Sequence, residues 1–340
     1  MTETRTELRT DPSLTLSPSK IENVLGFTQA YVMFGVLVIG FFGNTVSFII
    51  FYRVRKRADA CVQYLSCLAL SDNGMILTRG VLEWMNFGLE HITDGEVHIN
   101  LLHYSTLSCK LIGFFMQVSM CISAWMIVSF SVERAYVVMW PFKRANITPK
   151  ARKIVISIIC VLIILLSLHR LILTEIIMRP YRLCFYVLPP ITGAILYQFD
   201  ISLYTYVPCL LIFIADILIL LAVFRSRDQA IRRPTHKTPK EGKVLVSLLL
   251  VSSLYVVLLL PFTSVSAVLL YERQTLSQKQ TAFFFYLTAF LIQLTILNYC
   301  MNFIIYGCTL PFYRKEAMRI FRSCFRSPEG KRQETSMKLQ

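Results

Sequence analysis

The stretch from Cys109 to Phe142 reads CKLIGFFMQVSMCISAWMIVSFSVERAYVVMWPF. After Cys109 it carries no charge beyond Lys110 until Glu133-Arg134, and a Trp-Pro stop follows. At about 1.5 Å per residue, a helix from Cys109 to Arg134 covers about 38 Å, more than a hydrocarbon core about 30 Å thick. Cys109 therefore belongs at one membrane face and Arg134 at the other. At about 100° per residue, Met116, Ser123 and Arg134 fall within about 20° of one another, so the span has a single inward-looking stripe.

The rest of the chain fits that reading. Its 340 residues are 55% hydrophobic and 16% charged, with a mean hydropathy of +0.57, which excludes a soluble globule with a polar skin. The net charge of +15 would suit a nucleic-acid partner, but the placement of the basic residues argues against one. They gather around Arg53–Arg57, Lys143–Lys153, Arg225–Lys243 and Arg314–Lys338, which are alternate inter-helix segments. The positive-inside rule makes those four segments cytoplasmic and puts the N-terminus outside. Residues 1–27 are polar without an apolar run, so the first span is expected to serve as its own insertion signal.

Glu133-Arg134-Ala135, with Val138 and Pro141, has the spacing ERAxxVxxP. It resembles the DRYxxVxxP signature that closes the third helix of rhodopsin-like (class A) G-protein-coupled receptors, and Cys109 sits where that family places its extracellular disulfide cysteine. The resemblance implies an all-α membrane protein, a seven-transmembrane helix bundle with a short amphipathic eighth helix. Residues 1–26 would be an extracellular tail, 27–310 the bundle, 311–325 a membrane-surface helix and 326–340 a disordered cytoplasmic tail. Of the ten cysteines, only Cys109 and Cys184 fall near the oxidising outer face, so these two are expected to pair. Cys324, beside the membrane, is a candidate for palmitoylation. The sequon Asn146-Ile147-Thr148 falls in a cytoplasmic loop and is expected to be silent.

Further motifs agree with the family pattern, and some depart from it. Span one, about Phe27 to Tyr52, carries Gly43-Asn44, a small residue and a hydrogen-bonding one that both suit a bundle-facing place. Span two, about Val62 to Phe87, carries Asp72 roughly 15 Å deep, with Arg79 and Glu83 on the same face. The last two form an i,i+4 pair whose plainest role is a mutual salt bridge. Span four, about Ile154 to Ile177, carries His169, Arg170 and Glu175 near its outer end, and the loop RPYRLCFYVLPP follows. Span five keeps Pro208 but has Asp216 where relatives have a tyrosine; Asp216 is expected to pair with Arg134. Span six keeps the helix-kinking Pro261, with Leu259 and Tyr255 in place of the usual aromatics. Glu241 falls where many relatives place the acid that pairs with the third-helix arginine. Span seven ends in NYCMNFIIYG, an NPxxY-like motif from Asn302 to Tyr306 with Phe303 in place of proline, which puts its local bend in question.

No phosphate-cradling loop or metal-ligand spacing appears, so function is sought in binding outside and a shape change inside rather than in catalysis. His91, His98 and His103 in the long first outer loop, about Gly88 to Ser105, fit no tight ligand set. Asn44 belongs to a mid-bundle polar layer in which Asp72, Ser123, Asn298 and Asn302 match the family positions that hold a sodium ion. The layer holds either that ion or a hydrogen-bonded network without one. Glu133, Arg134, Asp216, Glu241, Tyr255, Pro261 and Tyr306 form the expected activation switch.

The expected ligand pocket is lined by Arg79, Glu83, Met116, Gln117, Arg170, Asp200, Tyr204 and Thr288. A methionine at 116, where amine receptors have an aspartate, argues against a small amine, and Ile296 in place of a Schiff-base lysine excludes an opsin. Acidic groups at the mouth favour a peptide with basic groups. The chain looks most like invertebrate neuropeptide receptors of the FMRFamide or myosuppressin kind, at the plasma membrane, with a heterotrimeric G protein and arrestin as inner partners. A chemosensory receptor for small molecules shares the fold. A transporter or channel is the more remote alternative, and the sequence shows no internal repeat.

Overall fold

The computed structural model describes residues 18–54, 62–97, 99–140, 148–178, 182–232, 239–272 and 275–325. Cys61, His98, Asn146, Ile147, Arg179 and Tyr181, and the side chains of Glu241 and Cys324, lie outside the described residues.

Among the described residues the fold has eight long helices, one hairpin and a short 3-10 turn at Leu101–His103: α1 (residues 18–54), α2 (62–92), α3 (Thr106–Met139), α4 (Pro149–Leu173), β1 (Thr174–Met178), β2 (Arg182–Tyr186), α5 (190–232), α6 (Pro239–Glu272), α7 (Gln278–Thr309) and α8 (Pro311–Phe325). Among the described residues, six helices are long and apolar enough to cross a membrane. The seventh, α2, has similar length but carries Asp72, Arg79 and Glu83 and is interrupted by two π turns. The chain is a multi-pass bundle of seven spans.

Local chemistry fixes several ends. Ser105 and Ser108 form a reciprocal capping box at the start of α3, and Ser277 with Gln280 does the same for α7. Thr148 caps α4, with Pro149 in the first turn where its missing N–H costs nothing. α4 stops at Leu173, four residues before the expected end. Thr174–Met178, with its three β-branched residues, pairs antiparallel with Arg182–Tyr186 instead. Glu175 therefore belongs to a strand, not a span. The disulfide Cys109–Cys184 ties this hairpin to the start of α3. α1 begins at Pro18, before the expected Phe27, and α2 continues to Ile92.

Four π turns, Thr28–Val32, Ile76–Gly80, Trp84–Gly88 and Ser202–Tyr206, all fall in the half of the bundle nearest the disulfide. Such turns insert one extra residue and rotate the next stretch of helix about its axis, and they recur at functional sites. Apolar side chains such as Ile50, Phe51, Ile127, Ile212 and Tyr255 form the core between the helices. Those of α4, Ile154, Ile158, Val161, Leu162 and Leu165 among them, face outward as a span in lipid requires.

The Asn302–Tyr306 motif lies in an unbroken helix, so Phe303 introduces no chain break. Its ring fills the place that a Cβ on Gly43 would occupy, with ring atoms 2.3 Å from that position, which only glycine permits. After α7 the chain turns into α8. Tyr313 is buried and hydrogen-bonded to Ser47, and Phe312 and Ile320 pack on the core, while Arg314, Lys315 and Phe321 stay exposed.

Candidate functional site

At the disulfide end a cavity of about 160 Å³ opens between the helices. Arg79, Met116, Gln117, Arg170 and Tyr204 line it, as expected, joined by Phe185 and Tyr186 from the hairpin and Phe262 from α6. Thr288 does not reach it. Its hydroxyl donates back to the Phe284 carbonyl at 2.7 Å, and Ile292 and Thr295 represent α7 instead. Glu83 faces a second cavity of about 490 Å³ between α1, the end of α2 and α7. Its 3.0 Å ion pair with Arg79 therefore stands between the two chambers.

Beneath the first cavity lies a knot around Asp200, whose side chain is 1% exposed. Its carboxylate accepts from Arg170 Nη2 at 2.6 Å, from Gln117 Nε2 at 3.1 Å and from the Tyr186 hydroxyl, and His169 Nε2 stands 3.1 Å away. The Arg170 guanidinium also lies 5.1 Å over the Tyr186 ring. α3, α4, α5 and the hairpin thus converge on one carboxylate, and Asp200 acts as an anchor below the cavity rather than as part of its wall. Burial, with Asp200 alongside, pushes the Tyr186 phenol above its ordinary range, so it remains a donor across physiological pH.

Mid-bundle, Asp72 is fully buried. Its two oxygens accept from Ser123 Oγ at 2.6 Å and Asn302 Nδ2 at 2.7 Å. Asn44 Nδ2 donates to the Tyr299 carbonyl at 2.8 Å, and Asn298 is buried on the same helix as Tyr299. Asn44 Oδ1 is buried with no hydrogen-bond partner. A carboxylate with neutral oxygens and one idle acceptor is a donor set that fits a small hard cation.

At the opposite end the arrangement differs from the expected one. Arg134 and Asp216 are not paired. Asp216 Oδ2 accepts from Ser252 at 2.7 Å, linking α5 to α6, and Oδ1 has no partner. Glu133 is engaged by Arg152 of α4, whose Nε reaches both carboxylate oxygens at 2.8 and 2.9 Å. With Glu133 on Arg152 and Asp216 on Ser252, Arg134 packs its guanidinium 5.8 Å over the Phe130 ring, and its Nε and Nη2 have no partner. Tyr306 is buried among Phe51 and Tyr313 with its hydroxyl unpaired, and Tyr255 donates to the Tyr204 carbonyl. Pro261 sits inside α6, with Leu259 buried beside it.

The residues missed from sequence were Arg152, Ser252, Tyr186 and His169 as partners. Nothing in the sequence separates Arg152 from Lys150 and Lys153, which flank it in the first turn of α4.

Residues 43–306 match the sequence model of a family described as 7 transmembrane receptor (rhodopsin family). The G-protein coupled receptor 68 of Bos taurus is 30% identical over 233 residues. That match covers 67% of this chain and 58% of the bovine protein, so the chain spans less than two thirds of this relative's length.

Proposed function

Because the chain belongs to the rhodopsin family of seven-transmembrane receptors, receptors and not enzymes, we propose that it signals for an extracellular peptide with basic groups through a heterotrimeric G protein. The single observation that carries the reading is the pair of adjoining cavities at the disulfide end, one beside Arg79 and Arg170 and the other acidic. Together they offer more room and more charge than a small neutral ligand uses. G-protein coupling is supported by the name of the bovine relative. The disulfide end is the extracellular one, at the plasma membrane, and the start of α1 lies on that side. α8 lies on the inner leaflet, Cys324 is a lipidation site, and residues 326–340 form the cytoplasmic tail. The peptide is of the FMRFamide or myosuppressin kind.

Ligand shifts the receptor only through higher affinity for the open state. Binding pulls α6 outward about Pro261, parts Ser252 from Asp216, and opens a crevice where the idle donors of Arg134 meet the carboxyl-terminal tail of a G-protein α-subunit, and later arrestin. Asp72, Ser123, Asn298 and Asn302, with Asn44, would hold a sodium ion in the closed state, where it would supply a counter-charge to the buried carboxylate.

A chemosensory reading has one observation in its favour: the first cavity alone, at about 160 Å³, suits a small molecule. Screening amidated peptides and small lipophilic compounds on cells expressing the chain, with a calcium readout and nucleotide exchange, separates the two. Activation by compounds and by no peptide overturns the peptide reading. Agonist affinity that ignores both sodium and Asp72→Asn removes the ion.

A further inference from the structure

The second cavity is unlike the first in sign. Glu22 of α1, Glu83 and Glu90 of α2, and Asp94 just beyond it all line it, and no lysine or arginine does among the described residues. Glu22 and Asp94 are exposed, whereas Glu83 is held by Arg79. Asp94 and Gly95 both adopt left-handed backbone, at φ 49° and 85°, a turn that aspartate or asparagine tolerates and most residues do not. The walls come together closely: a Cβ on Gly26 would meet the His91 ring at 2.5 Å, so glycine lets the start of α1 seat against the end of α2.

Acidic walls alone would be a solvated rim. One side chain points further. Gln29 lines this cavity, is 4% exposed, and its Nε2 has no hydrogen-bond partner. A buried amide donor left unpaired carries a desolvation penalty that a ligand acceptor removes. Gln293, the neighbouring amide, differs: it accepts from Thr28 at 3.1 Å and donates to the Leu25 carbonyl at 3.4 Å. The requirement is therefore specific, a cation for the exposed carboxylates of Glu22 and Asp94 and a carbonyl oxygen for Gln29.

We propose that the cavity between α1, the end of α2 and α7 is the seat of a cationic side chain, guanidinium or ammonium, carried beside an amide carbonyl. A basic residue of a peptide presents both groups, and the inference rests on the peptide reading above. The Arg79–Glu83 pair then sorts the ligand by polarity: its basic residue enters the acidic chamber, and its carbonyl-rich or anionic part faces Arg79 and Arg170 in the other.

The test uses the full chain in lipid nanodiscs, with N-acetyl-arginine amide and its uncharged counterpart N-acetyl-citrulline amide as probes and binding read by calorimetry. The arginine probe is expected to bind about tenfold more tightly than the citrulline one. Glu22→Gln/Asp94→Asn, two exposed positions whose exchange leaves the fold intact, is expected to erase that preference, whereas Glu96→Gln, exposed and outside the cavity, keeps it. Gln29→Leu weakens both probes alike, about threefold or more. Binding is read without signalling. A receptor that no amidated peptide activates, yet that prefers arginine to citrulline, supports the acidic chamber while removing the peptide reading. Equal binding of the two probes, or an undiminished preference in the double variant, overturns the chamber whatever peptides do.

Discussion

Asp200 and Arg134 are both buried charges, at opposite ends of the same bundle, and they are treated in opposite ways. Asp200 has Arg170, Gln117 and Tyr186 donating to it and His169 beside it. Arg134, 8% exposed, leaves Nε and Nη2 without partners and rests on an aromatic ring. A buried charge with its hydrogen bonds complete is part of the frame, because removing any partner leaves an uncompensated ion. A buried charge with idle donors is a cost the fold carries until something else arrives. The Asp200 carboxylate is thus prebuilt into the frame, whereas the Arg134 guanidinium is kept in readiness.

The sharpest way to break that contrast is Asp200→Asn. It leaves Arg170 buried without its counter-charge, and a loss of about 3 kcal/mol is expected, seen as a drop in unfolding temperature and surface expression. An unchanged unfolding temperature would remove Asp200 from the frame. Next comes Cys184→Ser, which opens the Cys109–Cys184 link across a sequence separation of 75 and is expected to cost about 2–4 kcal/mol by thermal or denaturant unfolding. Ser252→Ala takes the sole described partner from Asp216 and is expected to cost about 1 kcal/mol while raising basal nucleotide exchange, since α5 and α6 lose a link. The smallest stability effect belongs to Arg134→Leu, within about 1 kcal/mol of wild type, with agonist-driven exchange abolished. A large destabilisation there would show Arg134 to be structural after all, and the contrast would fail.

The contrast explains what could be read from the chain beforehand. The spans, the cysteine pair, the Arg79–Glu83 bridge and the inward Asp72 all follow from periodicity, length and the expense of charge in lipid. Each involves one helix or one compartment. The Asp200 knot draws on four elements that lie from Gln117 to Asp200 in sequence, and nothing along the chain records which faces will converge. Asp216 was assigned to Arg134 because an unpaired acid near the end of a span needs a partner. A serine one helix away takes one carboxylate oxygen instead, and the other has no partner. Glu133 likewise found Arg152, which reads in sequence as one more member of a basic loop.

The Phe303 ring lodged against Gly43 has a mechanical consequence. Where two helices interlock through a ring in a notch, neither can twist past the other without first prising them apart. α1 and α7 must then travel together over that stretch. A probe on α1, far from any ligand contact, would register rearrangements of α7 as faithfully as a probe on α7 itself.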